Sequence, residues 1–454
     1  ESDSIALKVW APTARNVNLI LFDKHKKQMD NIAGNYSEGV WSFEGPLHWD
    51  RQFYHFEIEV YHYLTGQIET FRVTDPYSVS LSTDSEFSQL VNIREDSTLK
   101  PSGWDNLKKE LPRHVDISVY ETHMRDFSVY DFTVPERYRG TYRAFTLNGV
   151  DGRVLSDGMQ HLQSLADAGL THLHLLPVND IGTVPERASE QVELTDPWER
   201  ICDFVNSDLL SDGCEKNGTE SIWSVFERES EMNPVTKNIQ APYSDPGIYE
   251  GLGEYDPFNW GYDPFHFNTP EGSYSTNPEG AQRILEFREM VMALEEIGLK
   301  TVVDVVYNHT FRSGTSPYSV LDKIVPGYYH RYNADTGEVE TSTCCDNTAA
   351  EHKMMEKLII DSVVFWAKEY KIDGFRFDLM GHHPKYVMEN LRRELNQLTL
   401  EKDGVQGNRI YIYGEGWNFG EVADNRIFEQ ATQFNMDGTG IGNFNDRIRD
   451  AIRG

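Results

Sequence analysis

Three short stretches of this chain hold side chains able to attack carbon or move protons: Asp304, Asn308 and His309; Arg376 and Asp378; Glu415 with Trp417. An Asp and a Glu that face each other are the minimum for retaining hydrolysis of a glycosidic bond. One carboxylate attacks the anomeric carbon, and the other, protonated, delivers its proton to the leaving oxygen. The pair must lie about 5–5.5 Å apart, because no water sits between nucleophile and sugar. The acid needs a raised pKa, and the nucleophile must stay ionised, a state that a nearby guanidinium favours. Arg376 stands two residues before Asp378. Residues so spaced on a strand point to the same side, so Arg-x-Asp predicts a cation beside the nucleophile.

Taken singly, these residues are weak signals. An isolated Arg-x-Asp is usually a surface ion pair. Asp304, within VVDVVYNH, could be a buried structural carboxylate, and His309 alone is as readily structural as functional. Glu415 between Gly414 and Gly416 is harder to dismiss, since glycines beside a carboxylate allow a ligand to approach. The order Asp…His, Arg-x-Asp, Glu on consecutive strands is far more specific than any member.

The elements that must carry these groups follow from hydrophobic periodicity. The first hundred or so residues read as all-β. VNLILF (17–22) is an apolar run, and FYHFEIEVYHY (53–63) alternates, with Phe56, Ile58 and Val60 on one face and Glu57 and Glu59 on the other. That period of two marks half-buried strands. Turns fall at Ala11-Pro12 and Thr65-Gly66, giving a small β-sandwich over 1–112 with its linker. From 113 to 454, strands alternate with amphipathic helices. Strands are expected at 116–123, 171–178, 301–309, 373–380 and 409–417, with a sixth at 431–436. Helical spacing joins Met159, Leu162, Leu165 and Ala166 before Gly169. It also joins Ile284, Phe287, Val291 and Leu294 behind an Asn277 cap and Pro278. Two further faces are Met355, Ile359, Val363, Trp366, Tyr370, and Pro384, Val387, Leu391, Leu395, Leu398. A polar stretch at about 180–256 is too long for an ordinary connection and reads as an inserted subdomain or substrate-facing loop, the alternative being a disordered insert. Alternation of this kind builds a parallel sheet. Five or six strands are too few to close an eight-stranded TIM barrel, so the fold class is multidomain: a β-sandwich followed by an incomplete (β/α)8 barrel. A doubly wound open sheet is the alternative on pattern alone.

Composition restricts the partners. The formal net charge is −31 over 454 residues, which repels a phosphate backbone, so no nucleic-acid partner is expected. There is no run of 18 apolar residues, hence no expected membrane span. The start, ESDSIALKVW, has neither the basic nor the apolar region of a signal peptide. A processed form that is secreted or at the cell surface remains the expectation. The four cysteines match no four-ligand zinc spacing, and no metal ligands are assigned. Cys202 and Cys214 flank DFVNSDLLSDG and could staple it, two free thiols being the alternative. Cys344 and Cys345 are adjacent, with a vicinal disulfide and two reduced thiols about equally balanced. No cofactor is required. Acidic loops could hold structural calcium through oxygen ligands, with no ligands to name.

At its candidate residues the sequence resembles glycoside hydrolase family 13, the α-amylase family. DVVYNH (304–309), GFRFDLM (374–380) and YGEGW (413–417) look like its first three conserved regions. FNWGYDP (258–264) is similar to the YNWGYDP signature of type I pullulanases, with Phe258 in place of Tyr. KIVPGYYHR, TSTCC and FRFDLMGHHPK resemble bacterial pullulanases and plant limit dextrinases. SIALKVWAPTARNVNLILFD resembles the start of a family 48 carbohydrate-binding module, and DPYSVSLSTDSEFSQLVNI (75–93) the linker that follows it. The resemblance implies α-1,6 debranching of pullulan, amylopectin and limit dextrins, with Asp378 as nucleophile and Glu415 as acid/base. It implies that Arg376, His309 and Tyr262 hold the cleaved glucose, Tyr262 by stacking. Asp304 and Asn308 support the site, and Trp417 and Phe419 flank the acceptor side.

The likeness has one gap. The family's fourth conserved region carries a third carboxylate, an Asp after a His, and no match occurs before Gly454. DGTGIGNFNDRIRDAIRG resembles the segment preceding the remaining barrel strands. The chain is therefore expected to be cut short, essentially inactive alone, and to need the missing C-terminal part of the polypeptide as partner. Alternatives are an α-1,4-amylase, a branching transferase, or an inactive starch-binding fragment. FNWGYDP speaks against the first two, and intact Asp378, Arg376 and Glu415 against the third.

Overall fold

The computed structural model describes residues 4–146, 154–204, 216–232 and 255–454. Two compact units emerge: Glu1–Gly182 with Trp260–Gly454, and Thr183–Asn259. The second coincides with the polar insertion. Among its described residues are helices at Glu199–Phe204 and Ile222–Met232, so it has structure of its own. Cys202 is disulfide-bonded; its expected partner, Cys214, lies outside the described residues.

The first strands, in chain order, are β1 (Ser4–Trp10), β2 (Ala14–Phe22), β3 (Gln28–Ala33), β4 (Asn35–Ser37), β5 (Val40–Pro46), β6 (Phe53–His62), β7 (Gln67–Val73) and β8 (Ser88–Gln89). They form two sheets, β1-β5-β4 and β3-β2-β6-β7, with β8 pairing β6. The alternation expected in β6 is present. Phe56, Ile58 and Val60 are fully buried, and Phe56 and Ile58 lie opposite Leu19 and Val17 of β2. Burying such side chains contributes roughly 1.5–3 kcal/mol each.

The later strands are β9 (Val119–Thr122), β10 (His172–Leu175), β11 (Asn179–Ile181), β12 (Pro264–Pro270), β13 (Lys300–Val305), β14 (His309–Thr310), β15 (Asp346–Asn347), β16 (Gly374–Phe377), β17 (Tyr411–Gly414) and β18 (Gly442–Asn443). Six of them make one sheet in the order β18-β17-β16-β13-β10-β9, and every pairing is parallel. That order is the chain order read backwards, without the reversal that defines a doubly wound sheet. The sheet is therefore a barrel wall left open. Helices Gln282–Glu296, Lys353–Glu369 and Lys385–Leu395 supply the expected apolar faces. Phe287, Trp366 and Tyr370 pack edge to face and tilted, with centroids 4.6–5.3 Å apart. The Trp366 indole N–H donates to the Phe267 carbonyl at 2.8 Å.

Two expectations need correction. The first of these helices starts at Gln282, with Ala281 as its cap, and not at Pro278 behind an Asn277 cap. The Asn277 side chain instead accepts from the Glu279 N–H at 3.1 Å, a local turn, and Gly280 follows in the left-handed region at φ 73°, which glycine adopts without strain. Residues 431–436 are not a strand. The sixth strand is Gly442–Asn443, directly before the Asp446–Arg453 helix.

Candidate active site

Parallel strands deliver their carboxyl-end residues to one mouth. Asp304 of β13 lies opposite Arg376 of β16, which lies opposite Tyr413 of β17. Asp378 is the residue after β16, and Glu415 the residue after β17. The backbone N–H of Asp378 donates to Val305 at 3.0 Å and that of Glu415 to Phe377 at 3.1 Å, so parallel pairing carries the two acids onward together.

Arg376 organises the site. Its Nη1 donates to both oxygens of Asp304 and to Oδ1 of Asp378, each at 2.9 Å, and its Nη2 lies 3.0 Å from Oε1 of Glu415. One guanidinium thus holds three carboxylates, with Asp378 on Nη1 and Glu415 on Nη2. Asn308 donates to Asp378 Oδ2 at 2.8 Å and to its carbonyl at 3.0 Å. Tyr262 donates its hydroxyl to Asp304 Oδ2 at 2.8 Å, and its ring centroid lies 5.8 Å from the guanidinium carbon. His309 bonds through Nδ1 to Asn308 Oδ1 at 2.6 Å and through Nε2 to the Tyr262 carbonyl at 2.8 Å. Both partners accept, an arrangement that favours the protonated ring. Burial opposes that charge, but Cys344 and the Tyr262 carbonyl raise the His309 pKa above its ordinary value.

Seven of the nine expected residues therefore meet in one network. Trp417 and Phe419 do not join it through any polar contact among the described residues; the Phe419 ring packs on His382 at 4.6 Å. The glycines beside Glu415 also have a different cause from the one expected. A Cβ at Gly414 would fall 2.6 Å from the Phe377 carbonyl oxygen, and one at Gly416 would collide with Asn443 Oδ1. They admit the protein's own backbone and side chains. Leu379, right after Asp378, is held at φ 40°, an uncommon region for a branched residue. Its N–H donates to Glu415 Oε2 at 3.2 Å, so the strained turn links the two acids.

The electrostatics differ from the simple expectation. Burial and the adjacent Asp304 carboxylate push Asp378 up to about 6, against the pull of Arg376 and Asn308. Arg376 is buried, yet Asp304, Tyr262, Glu415 and Asp378 raise its pKa further. Burial and Asp304 likewise raise Tyr262.

Sequence reasoning missed His174. It lies in β10 with Nδ1 at 3.2 Å from the Tyr413 hydroxyl and Nε2 at 3.7 Å from Asp304 Oδ2. The signal was present: two histidines spaced i, i+2 in THLHLLPV share one face of the strand.

Residues 1–78 match Carbohydrate-binding module 48 (Isoamylase N-terminal domain). A pullulanase of Klebsiella pneumoniae is 41% identical over 99% of this chain and 40% of its own length. Pullulanase 1, chloroplastic, of Arabidopsis thaliana is 44% identical over 100% of this chain and 43% of its own. The chain is homologous to the pullulanases over its whole length. The crystal structure of the Klebsiella pneumoniae pullulanase complexed with maltotriose superposes with a TM-score of 0.89 at 40% identity, covering 100% of this chain and 42% of that one. The chain thus spans roughly 40% of the length of the relatives it matches. Among the described residues, no helix is long and apolar enough to cross a membrane.

Proposed function

We propose that this chain carries the nucleophile and the acid/base of a debranching glycosidase that hydrolyses α-1,6-glucosidic linkages in pullulan, amylopectin and limit dextrins with retention. Asp378 attacks the anomeric carbon, and Glu415 protonates the leaving oxygen and then activates water. The observation that carries this reading is the single Arg376 guanidinium binding Asp378 and Glu415 at the ends of neighbouring parallel strands. Arg376 favours the ionised nucleophile. Asn308 fixes the Asp378 carboxylate, and Asp304 holds Arg376 and Tyr262 in place. Tyr262 offers its ring to the apolar face of the glucose. Trp417 and Phe419 serve the acceptor side. A third carboxylate and the remaining barrel wall come from polypeptide outside these residues, and the acidic composition supports a secreted or cell-surface setting.

The test uses a polypeptide that carries this chain together with the rest of the barrel. Pullulan and linear amylose are compared as substrates, with Asp378→Asn as the zero. Maltotriose as the main product from pullulan, absent with the variant, supports the reading. Equal sugar release by variant and parent removes Asp378 as nucleophile, and preference for amylose removes the debranching assignment.

A further inference from the structure

A cavity of about 320 Å3 lies at the amino end of β16, the end opposite Asp378, where hydrolysis makes no use of it. Seven basic side chains and four carboxylates line it, on a chain whose formal net charge is −31. Two of the cations, Arg288 and Lys371, are buried. Arg288 donates to the carbonyls of Ile93, Leu99 and Glu369 at 2.9–3.2 Å. The Lys371 ammonium donates to the carbonyls of Trp104, at 2.9 Å, and Leu107. Both cations also sit over the Trp104 ring, 5.2 and 5.3 Å from its centroid, within cation–π range. Neutral carbonyls and one indole thus hold two like charges together. The Glu369 carboxylate approaches Arg288 only to 3.7 Å and pairs at 2.6 Å with Arg94. Burial lowers the Lys371 pKa to about 8, Asp105 opposing and Lys109, Arg288 and Lys100 adding to the fall. Lys371 is also held at φ 52°, an uncommon region for a residue other than glycine. A Cβ at Gly404 would fall 2.8 Å from Lys371 Nζ, so the glycine leaves that side of the ammonium open. Lys108 and Lys402 add exposed ammonium groups to the same lining. Cations gathered in this way hold phosphate oxygens by charge-assisted hydrogen bonds, and the volume suits a group of sugar-phosphate size. A long polyanion would meet the acidic remainder of the chain.

We propose that this cavity binds one phosphate monoester, with Lys371, Lys108 and Lys402 contacting the anion and Arg288 supplying fixed positive charge behind them. The site is at the amino-end face of the parallel strands, so it leaves the candidate sugar pocket free. The full polypeptide carrying this chain is dialysed to equilibrium against labelled inorganic phosphate. One phosphate per chain is expected, displaced by glucose 6-phosphate and not by glucose. The exposed pair Lys108→Ser with Lys402→Ser should weaken binding at least about tenfold with an unchanged thermal midpoint. In the parent protein, phosphate should also slow acetylation of Lys371, Lys108 and Lys402 severalfold by peptide mass spectrometry, a readout that needs no variant. Tighter binding of glucose 6-phosphate than of inorganic phosphate assigns a free sugar phosphate as the source. Retention on phosphorylated amylopectin, abolished by phosphatase treatment of the glucan, assigns a glucan-borne ester. Phosphate binding unchanged in the double serine variant, or equal acetylation with and without phosphate, overturns the site.

Discussion

Two buried arginines in this molecule each gather carboxylates, with opposite results. Arg376 binds Asp304, Asp378 and Glu415, three acids on one cation. Arg331 binds Glu351 and Glu421, with Glu351 held in a fork by Nε and Nη2 at 3.0 and 2.8 Å. Glu421 also accepts from Asn347 at 2.9 Å and from Ser342 at 2.5 Å. Burial works against its charge, but Ser342, Arg331 and Asn347 pull its pKa down to about 2. Asp378 moves the other way, to about 6, through burial and Asp304. The Arg331 cluster has donors in surplus and fixes the loop after Glu415. The Arg376 cluster has charge in surplus, three carboxylates on one guanidinium. Perturbed groups of this kind gather at functional sites.

Substitutions should separate the two clusters. In the full polypeptide, Asp378→Asn should lower kcat by at least about a thousandfold while the thermal midpoint holds or rises. Pullulan turnover and calorimetry on the same samples check this. Arg331→Met should do the reverse. It leaves Glu351 and Glu421 without their cation, and breaking a buried pair costs roughly 3–5 kcal/mol, read by denaturant unfolding. A large activity loss with unchanged stability in that variant would erase the distinction.

The pH dependence sharpens the contrast. Asp378 faces Asp304, Arg376, Glu415, Tyr262 and His309. Its ordinary value is 3.8 and its folded value about 6. Between these, the native protein holds a proton that the unfolded chain has lost, so stability falls as pH rises through that window. Asn at 378 should flatten this slope. Glu421 runs from 4.5 unfolded to about 2 folded. Its contribution is complete above 4.5 and is lost as pH falls toward 2, and Glu421→Gln should remove that acid-limb loss. Unfolding free energy measured from pH 3 to pH 7 resolves both slopes. The smallest effect is expected at Tyr262→Phe, which removes one hydrogen bond to Asp304 worth about 0.5–1.5 kcal/mol and should lower kcat/KM by about tenfold or less.

The same comparison shows what the sequence disclosed. The Arg376 cluster was legible because its members sit on regular strands, where period two fixes direction and parallel order fixes neighbours. The Arg331 cluster was not, because Arg331, Ser342, Glu351 and Glu421 come from loops whose approach no periodicity encodes. Elsewhere, the strand Gly442–Asn443 escaped notice because it is two residues long and has no apolar run. The glycines at 414 and 416 signalled close approach correctly, but the approaching atoms belong to Phe377 and Asn443. The Cys344 contact with His309 joins residues 35 apart through a loop, beyond the reach of pattern.

The most direct test of the central claim is covalent trapping. A deoxyfluoro glycosyl fluoride is incubated with the full polypeptide bearing Glu415→Gln, and its peptides are mapped by mass spectrometry. The account predicts a glycosyl ester on the peptide that contains Asp378, at that carboxylate. An adduct on a different acid contradicts it.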